Sequence, residues 1–226
     1  MYQIRGTKEM ICKYCKSECI KDGFQKNGTQ RYKCKHCHKQ QQHEYCYNAY
    51  QLNINSRIIT YTKEGVGIRG TSKILKISTT TLLKRLIFIA KEISQSPILQ
   101  GQIYEVDEIR SFIKRKNSLV WIVYALDRKS KKVVSYNVGA RTNNTLNVIL
   151  KSLSLSNAKK IYTDRLKNYK YLIPKSIHRT TLYGTNHIER NNLTIRTHLK
   201  RLPRKTICFS RNLTILFAIL RIYFWG

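Results

Sequence analysis

Apolar residues follow three different spacings along this chain, which predicts three structural regions. In residues 1–48 they are sparse and flank the turn dipeptide Asn27-Gly28, as in a β-hairpin. In residues 49–95 they recur every three or four positions, as in amphipathic helices. In residues 101–226, runs rich in β-branched and aromatic residues alternate with helical stretches. We therefore expect a hairpin module, a helical segment and, after a linker at 95–101, an α/β domain.

The helical segment predicts three helices, the last of which begins after Ser78, a residue suited to capping a helix. Apolar residues from Leu82 to Ile93 recur at helical spacing and should face inward. A helix, a tight turn and a second helix can place a recognition helix in the major groove of DNA. A plain three-helix packing unit is the alternative. On the DNA-binding interpretation, the exposed start of the last helix presents Thr79, Thr80, Lys84 and Arg85.

The α/β domain begins with three predicted strands and continues with alternating helices and strands, which indicates a mixed sheet flanked by helices. Asp107 lies inside the first strand, and Asp164 lies at the carboxyl end of the fourth. Glu189 lies one turn into a long helix from about Thr185. Strand ends and the first turn of a helix can converge on one crevice of such a sheet. The run Leu213–Trp225 predicts a buried helix, since a membrane span needs about 20 apolar residues.

The charge of the chain is strongly positive, with 43 Lys and Arg residues against 12 acids and a formal net charge of +31. Such a charge repels itself unless a polyanion neutralises it, and nucleic acid is the commonest soluble polyanion. An anionic membrane is the rival partner, but no juxtamembrane pattern supports it, and a merely solvated basic surface is the simplest alternative. From Arg128 onward the acids are Asp164 and Glu189 alone. Their retention in so basic a region suggests a function.

Four of the seven cysteines form two Cys-x-x-Cys pairs separated by 18 residues. Each pair can form a tight turn, and two such turns can complete a tetrahedral site for structural Zn²⁺ with no open position for catalysis. Two unrelated thiol pairs are the alternative, and His43 or Cys46 could substitute as a ligand. Cysteines used for metal ligation in this way are typical of a reducing cytoplasm. The predicted zinc ligands are Cys12, Cys15, Cys34 and Cys37.

Carboxylates that face a DNA phosphate are repelled unless divalent cations lie between them. Two Mg²⁺ ions about 3.5–4 Å apart could activate an attacking water or 3′-hydroxyl and stabilise the leaving oxygen. The alternatives are structural, because Asp164 could cap the next helix and Glu189 could serve the helix dipole. By strand alternation Glu105 shares a face with Asp107, whereas Glu108 faces away, and either could compete as a ligand.

Three segments resemble, in order, the acidic motifs of the insertion-sequence-one transposases: "VDEIRSF", "YTDRLKNY" and "NHIERNNLTIRTHLKRLPRKTICFS". In that family a zinc-ribbon and helix-turn-helix half, InsA, is joined to a catalytic half, InsB. The resemblance implies a multi-domain protein: a zinc ribbon at 1–48, a DNA-binding helix-turn-helix at 49–95 and an α/β RNase H-like catalytic core with a mixed sheet at 101–226. It also implies an Asp–Asp–Glu triad for Mg²⁺ or Mn²⁺, which falls on Asp107, Asp164 and Glu189.

The same resemblance indicates how DNA is held. Arg196 lies two helical turns after Glu189 on the same face, where a basic residue could grip a phosphate, although a solvated arginine is the alternative. Further backbone contacts are expected from a basic run that contains Lys200, Arg201, Arg204 and Lys205. The expected protein binds terminal inverted repeats and target DNA in the prokaryotic cytoplasm, near the nucleoid, as a homo-oligomer and without a membrane. A zinc-dependent DNA-binding regulator that lacks catalysis is the rival hypothesis.

Overall fold

A computed structural model describes residues 10–115, 117–203 and 209–226. The chain divides into two compact units, Met1–Gln51 and Leu52–Gly226. The three predicted helices and the α/β region therefore belong to one unit. Along the described parts of the chain, no helix combines the length and apolar character that crossing a bilayer requires.

The first unit is a four-stranded antiparallel sheet in the order β1-β2-β3-β4. The predicted hairpin is present, and the amide of Gly28 (φ 80°) donates to the carbonyl of Gln25 in its turn. The buried apolar residues of this unit's core cluster are cysteines, with Met10 and Tyr32 packed partly against them. A core as small as this is typical of modules whose folding depends on a bound metal. The strands are β1 (Met10–Ile11), β2 (Glu18–Phe24), β3 (Gln30–Cys34) and β4 (Gln40–Gln41).

The second unit begins with the three predicted helices, α1 (Ile54–Lys63), α2 (Ile68–Leu75) and α3 (Thr79–Glu92). Ser78 caps α3 as predicted, because its hydroxyl accepts a hydrogen bond from the Thr81 amide at 3.0 Å. The inward face of α3 is buried as the periodicity predicts, except at Ile93, which follows the helix as its C-cap residue and is only partly buried. Its buried residues are Leu82, Leu86, Ile89 and Ala90.

A five-stranded mixed sheet forms the centre of the second unit, in the order β7-β6-β5-β8-β9. The first three strands pair antiparallel, whereas β5 with β8 and β8 with β9 pair parallel. The predicted mixed sheet is thus confirmed. Its strands are β5 (Ile103–Phe112), β6 (Leu119–Asp127), β7 (Val133–Gly139), β8 (Lys160–Thr163) and β9 (His178–Arg179). The helices that follow the meander are α4 (Asn143–Leu155), α5 (Lys167–Leu172), α6 (Asn186–His198) and α7 (Leu213–Trp225).

Helix α7 joins the N-terminal helices to the sheet, which confirms the predicted buried helix. It packs against α1 and α3, and Phe224 stacks on Tyr124 of β6 with ring centroids 5.9 Å apart. The Arg221 guanidinium donates two hydrogen bonds to the Ile93 carbonyl, at 2.9 and 2.7 Å. The expected linker is itself packed, because Ile98 lies against the core cluster between the sheet, α4 and α5.

Candidate functional site

The candidate acids lie where the central strand β5 continues beyond the end of its neighbour β8, which leaves one edge of β5 open. Strand β8 ends at Thr163, which pairs with Val106, so the next residues of β5 have no β8 partner. Carboxylates from both faces of β5 can reach this edge. Asp107, Glu108 and Asp164 each offer an oxygen within 4.8 Å of the others. The structure therefore brings two of the predicted acids together and adds Glu108.

Asp107 is partly buried, and hydrogen bonds hold both of its carboxylate oxygens. Oδ1 accepts the backbone N–H of Glu108 at 2.8 Å, and Oδ2 accepts the side-chain amide of Asn192 at 2.7 Å. Burial above all, with repulsion from Asp164 and Glu189, raises the pKa of Asp107 to about 6. The metal-free site thus disfavours the charge that the aspartate needs to bind a cation.

Glu108 lies on the opposite face of β5, as alternation predicts, because it contacts α5. Its Oε1 accepts the hydroxyl of Tyr169 at 3.0 Å, and its Oε2 lies 3.6 Å from Nη2 of Arg141. Burial raises the pKa of Glu108 to about 7. The inference from alternation that Glu108 points away from the site was nevertheless incomplete, since the open edge lets its carboxylate approach Asp107 and Asp164.

Asp164 follows the last residue of β8 and does not cap α5, which begins only at Lys167. Its Oδ1 accepts the backbone N–H of Leu166 at 3.0 Å, which fixes a turn directly after the strand. The capping alternative for Asp164 is therefore not observed.

Glu189 stands in the first turn of α6, where its Oε1 accepts the hydroxyl of Thr185 at 2.6 Å. Among the described residues, the acid group around Asp107 does not include Glu189. The charge of Glu189 does contribute to raising the pKa of Asp107, so the two carboxylates interact electrostatically. Its role as the third ligand stays a prediction.

Sequence reasoning missed the role of Glu105. This fully buried carboxylate accepts a hydrogen bond from the backbone N–H of Ile188 at 2.9 Å, and its other oxygen lies 2.7 Å from Nδ1 of His187. It also lies 3.4 Å from Nε of Arg128. Glu105 thereby anchors the first turn of α6 to β5, on the face that it shares with Asp107. Its oxygens are engaged by these partners, and the group of acids that could share a cation leaves it out.

The four predicted zinc ligands converge in the first unit. Sγ of Cys12 lies 3.6 Å from Sγ of Cys37, and Sγ of Cys15 lies 3.4 Å from Sγ of Cys34. These separations exceed a disulfide bond of about 2.05 Å. They approach the spacing of about 3.8 Å between thiolates bound at about 2.3 Å to one tetrahedral zinc ion.

Backbone amides support the same sulfur atoms, as in metal-binding turns. The N–H groups of His36 and Cys37 donate to Sγ of Cys34 at 3.3 and 3.4 Å. Hydrogen bonding from Ser17 lowers the pKa of Cys15 to about 5, whereas burial and the other three sulfur atoms outweigh the hydrogen bond from the Lys39 backbone and raise the pKa of Cys37. These residues fit Zn²⁺. Within the described chain, this group includes neither His43 nor Cys46.

The residues predicted to contact DNA are mostly exposed. Thr79, Thr80 and Lys84 are exposed at the start of α3. Arg85 is partly buried, and its Nη1 donates to Oδ1 of Asn55 at 3.4 Å, so it also links α3 to α1.

Arg196 is exposed near the end of α6, and Lys200 is exposed just beyond it. Arg201 is partly buried, with Nη1 3.5 Å from the hydroxyl of Ser210. Arg204 and Lys205 lie outside the described residues.

An antiparallel meander followed by two parallel strands, with acids at the open edge of the central strand, defines an RNase H-like α/β core. Residues 102–224 of the chain match the family model described as IS1 transposase. The chain belongs to this family, and it is an insertion-sequence transposase.

Curated relatives agree with this assignment. The chain is 42% identical over 113 residues to the InsB protein of insertion element iso-IS1n from Shigella dysenteriae, which covers 50% of this chain and 86% of that protein. It is 34% identical over 111 residues to the IS1 InsB protein of Shigella flexneri, covering 49% and 85% of the two chains.

Two solved structures show a weaker likeness. One is a chain of the simian T-cell lymphotropic virus intasome in complex with the PP2A regulatory subunit B56 gamma (17% identity, 72% of this chain, 66% of that chain, TM-score 0.34). The other is the HTLV-2 integrase catalytic core domain in complex with magnesium (18% identity, 56% and 84%, TM-score 0.32). The family membership rests on the sequence matches.

Proposed function

We propose that this transposase cleaves and joins DNA strands at the open edge of β5, with Asp107 and Asp164 as ligands for two Mg²⁺ or Mn²⁺ ions. The observation that carries the proposal is the convergence of these carboxylates with Glu108 within 4.8 Å, in a chain of formal net charge +31. Three acids so close together repel one another unless protons or cations intervene. Hard divalent cations bind oxygen ligands of this kind.

The fit to a divalent cation follows from the electrostatics. Burial and the neighbouring carboxylates raise the pKa values of Asp107 and Glu108, so a cation that neutralises the group would favour their charged forms. A cation held by these carboxylates would activate an attacking water or 3′-hydroxyl and would stabilise the leaving oxygen. Asp107 contributes a carboxylate oriented by two hydrogen bonds, and Asp164 contributes one fixed by the turn after β8. We assign the third ligand position to Glu189, with Glu108 as its competitor.

DNA recognition is assigned to the α3 region and to the basic side chains of α6 and the segment after it. The exposed Thr79, Thr80 and Lys84 would contact the terminal inverted repeats as part of a helix-turn-helix. Arg196 and Lys200 would contact phosphates near the acids. The first unit would serve as a zinc ribbon. Because transposition pairs two DNA ends, we propose a homo-oligomer that acts in the cytoplasm at the nucleoid.

The direct test is Mg²⁺-dependent nicking of an oligonucleotide that carries a terminal repeat. Asp164→Asn should abolish nicking while binding of the oligonucleotide persists, and the exposed Glu92→Gln should serve as a matched control with normal nicking. Equal nicking by Asp164→Asn and the parent protein would overturn the assignment. Repeat binding with steep salt dependence but no cleavage under any divalent cation would instead favour the rival hypothesis of a non-catalytic regulator.

A further inference from the structure

A buried hydrogen-bond chain connects strand β6, helix α6 and the carboxylate of Asp107. Asn192 is only 7% exposed and lies three residues after Glu189, on a neighbouring part of the same helix. Its Nδ2 donates to Oδ2 of Asp107 at 2.7 Å, and its Oδ1 accepts the hydroxyl of Tyr124 at 2.7 Å. The same hydroxyl lies 3.1 Å from the carbonyl oxygen of Ile188, a second and more distant acceptor on α6. Tyr124 is fully buried and pairs directly opposite Asp107 in the sheet.

The chemistry of these groups fixes the orientation of the Asn192 amide. A carboxylate only accepts hydrogen bonds, so the amide must turn its NH₂ group toward Asp107. The carbonyl oxygen of Asn192 is then left to accept the hydroxyl of Tyr124. The Asn191 amide in turn donates to that hydroxyl at 3.3 Å. A reversed Asn192 amide would place its oxygen against the Asp107 carboxylate, which is electrostatically unfavourable.

The result is a carboxylate with little rotational freedom. One Asp107 oxygen holds the Glu108 backbone N–H and the other holds the Asn192 amide, at 2.8 and 2.7 Å. Each carboxylate oxygen has two acceptor positions, so each retains one for a cation. A ligand that is already oriented loses less conformational entropy when it binds a metal.

We propose that Asn192 is a positioning residue that orients Asp107 for cation binding and ties helix α6, the carrier of Glu189, to the same carboxylate. This inference rests on the proposed metal site at Asp107. Asn192 itself would not bind the cation; it would act only through the carboxylate of Asp107. Groups that hydrogen-bond to metal ligands typically change metal affinity by about 10- to 100-fold when they are removed.

The test is Mn²⁺ binding to the zinc-loaded full chain, measured by electron paramagnetic resonance of free Mn²⁺. Asn192→Ala should weaken Mn²⁺ affinity by about 10-fold or more. Tyr124→Phe keeps the packing of the ring and removes only the hydroxyl, and it should weaken affinity in the same direction by a smaller factor. Asn186→Ala removes an exposed amide from the same helix and should leave affinity unchanged.

The outcomes separate this inference from the proposed function. Thermal unfolding of each variant identifies loss of folding, and if Asn192→Ala does not fold, Tyr124→Phe decides the question. The positioning role would be overturned if folded Asn192→Ala bound Mn²⁺ as tightly as the parent protein while Asp107→Asn lost binding. If Asn192→Ala does not fold, the same result in Tyr124→Phe would overturn it. In either case the metal site itself would still stand. Unchanged Mn²⁺ affinity in Asp107→Asn would overturn the proposed metal site itself.

Discussion

Neutralising Glu108 should stabilise the metal-free protein at pH 8 and leave its stability unchanged near pH 4. The side chain is 7% exposed, and burial raises its pKa from 4.5 to about 7. A carboxyl group with a raised folded-state pKa stabilises the fold fully below its unfolded pKa. That contribution is lost as the pH rises through the folded pKa. The relevant window therefore runs from about pH 4 to pH 8.

The magnitude follows from the shift. A change of about 2.5 pKa units corresponds to about 3 kcal/mol of unfolding free energy at pH 8. Glu108→Gln removes this unfavourable contribution, in which the attraction of Arg141 at 3.6 Å is already included, but it also buries a polar amide, which offsets part of the gain. We expect a net stabilisation of about 1–3 kcal/mol at pH 8 without metal.

The assay is urea unfolding followed by circular dichroism at pH 4.5 and pH 8, with and without Mg²⁺. Mg²⁺ should stabilise the parent protein more at pH 8 than at pH 4.5, because protons compete with the cation at low pH. In Glu108→Gln this gain should shrink if Glu108 binds the cation. A variant no more stable than the parent at pH 8, measured without metal, would refute the argument that the buried charge is unfavourable.

Three further predictions concern the other sites. Chelation of zinc, or Cys34→Ser, should unfold residues 10–51 and leave the Leu52–Gly226 unit folded. Limited proteolysis with mass spectrometry would detect this difference. Equal protection of both units from the protease would contradict a metal-dependent core in the first unit. Glu189→Gln should abolish nicking at saturating Mg²⁺, whereas normal nicking would move the third ligand position to Glu108. DNA binding measured by fluorescence anisotropy at several salt concentrations gives the slope of log affinity against log salt. Lys84→Ala and Arg196→Ala should each reduce the magnitude of this slope by about 1. An unchanged slope would exclude a phosphate contact at the substituted residue.

Local patterns in the sequence were sufficient for most of the fold. The run "LVWIVYALD", rich in β-branched and aromatic residues, forms β6, and the run "IRGTSKIL", within the predicted helical segment, forms α2. In both cases the side-chain spacing of a single segment determines the element, and no distant residue is needed. The positions of Asp107 and Asp164 could likewise be predicted, because parallel neighbouring strands bring such positions together at one edge.

The parts of the site that could not be predicted depend on pairing between distant segments. Alternation along β5 assigns Glu108 to the face opposite Asp107. Its carboxylate can still approach Asp107 and Asp164, because β8 ends opposite Val106 and leaves the edge of β5 open beyond that residue. Glu105 resembles a ligand in sequence, yet the backbone of α6 engages it. Asn192 has no distinguishing local pattern apart from its spacing to Glu189, and its importance arises from contacts with β5 and β6.

The packing of α7 has a consequence for how cleavage is positioned on DNA. Arg221 of α7 binds the Ile93 carbonyl just after α3, while Trp225 of the same helix donates to the Val133 carbonyl of β7 at 2.7 Å. The turn between α1 and α2 is equally constrained, because a Cβ atom at Gly65 would lie 2.0 Å from the carbonyl oxygen of His198 on α6. Helix α3 and the acids at the edge of β5 therefore belong to one packed body. If α3 reads the terminal repeat, the distance from the bases that it contacts to the phosphate that is cleaved follows from this packing, and lengthening the segment 95–101 would not change it.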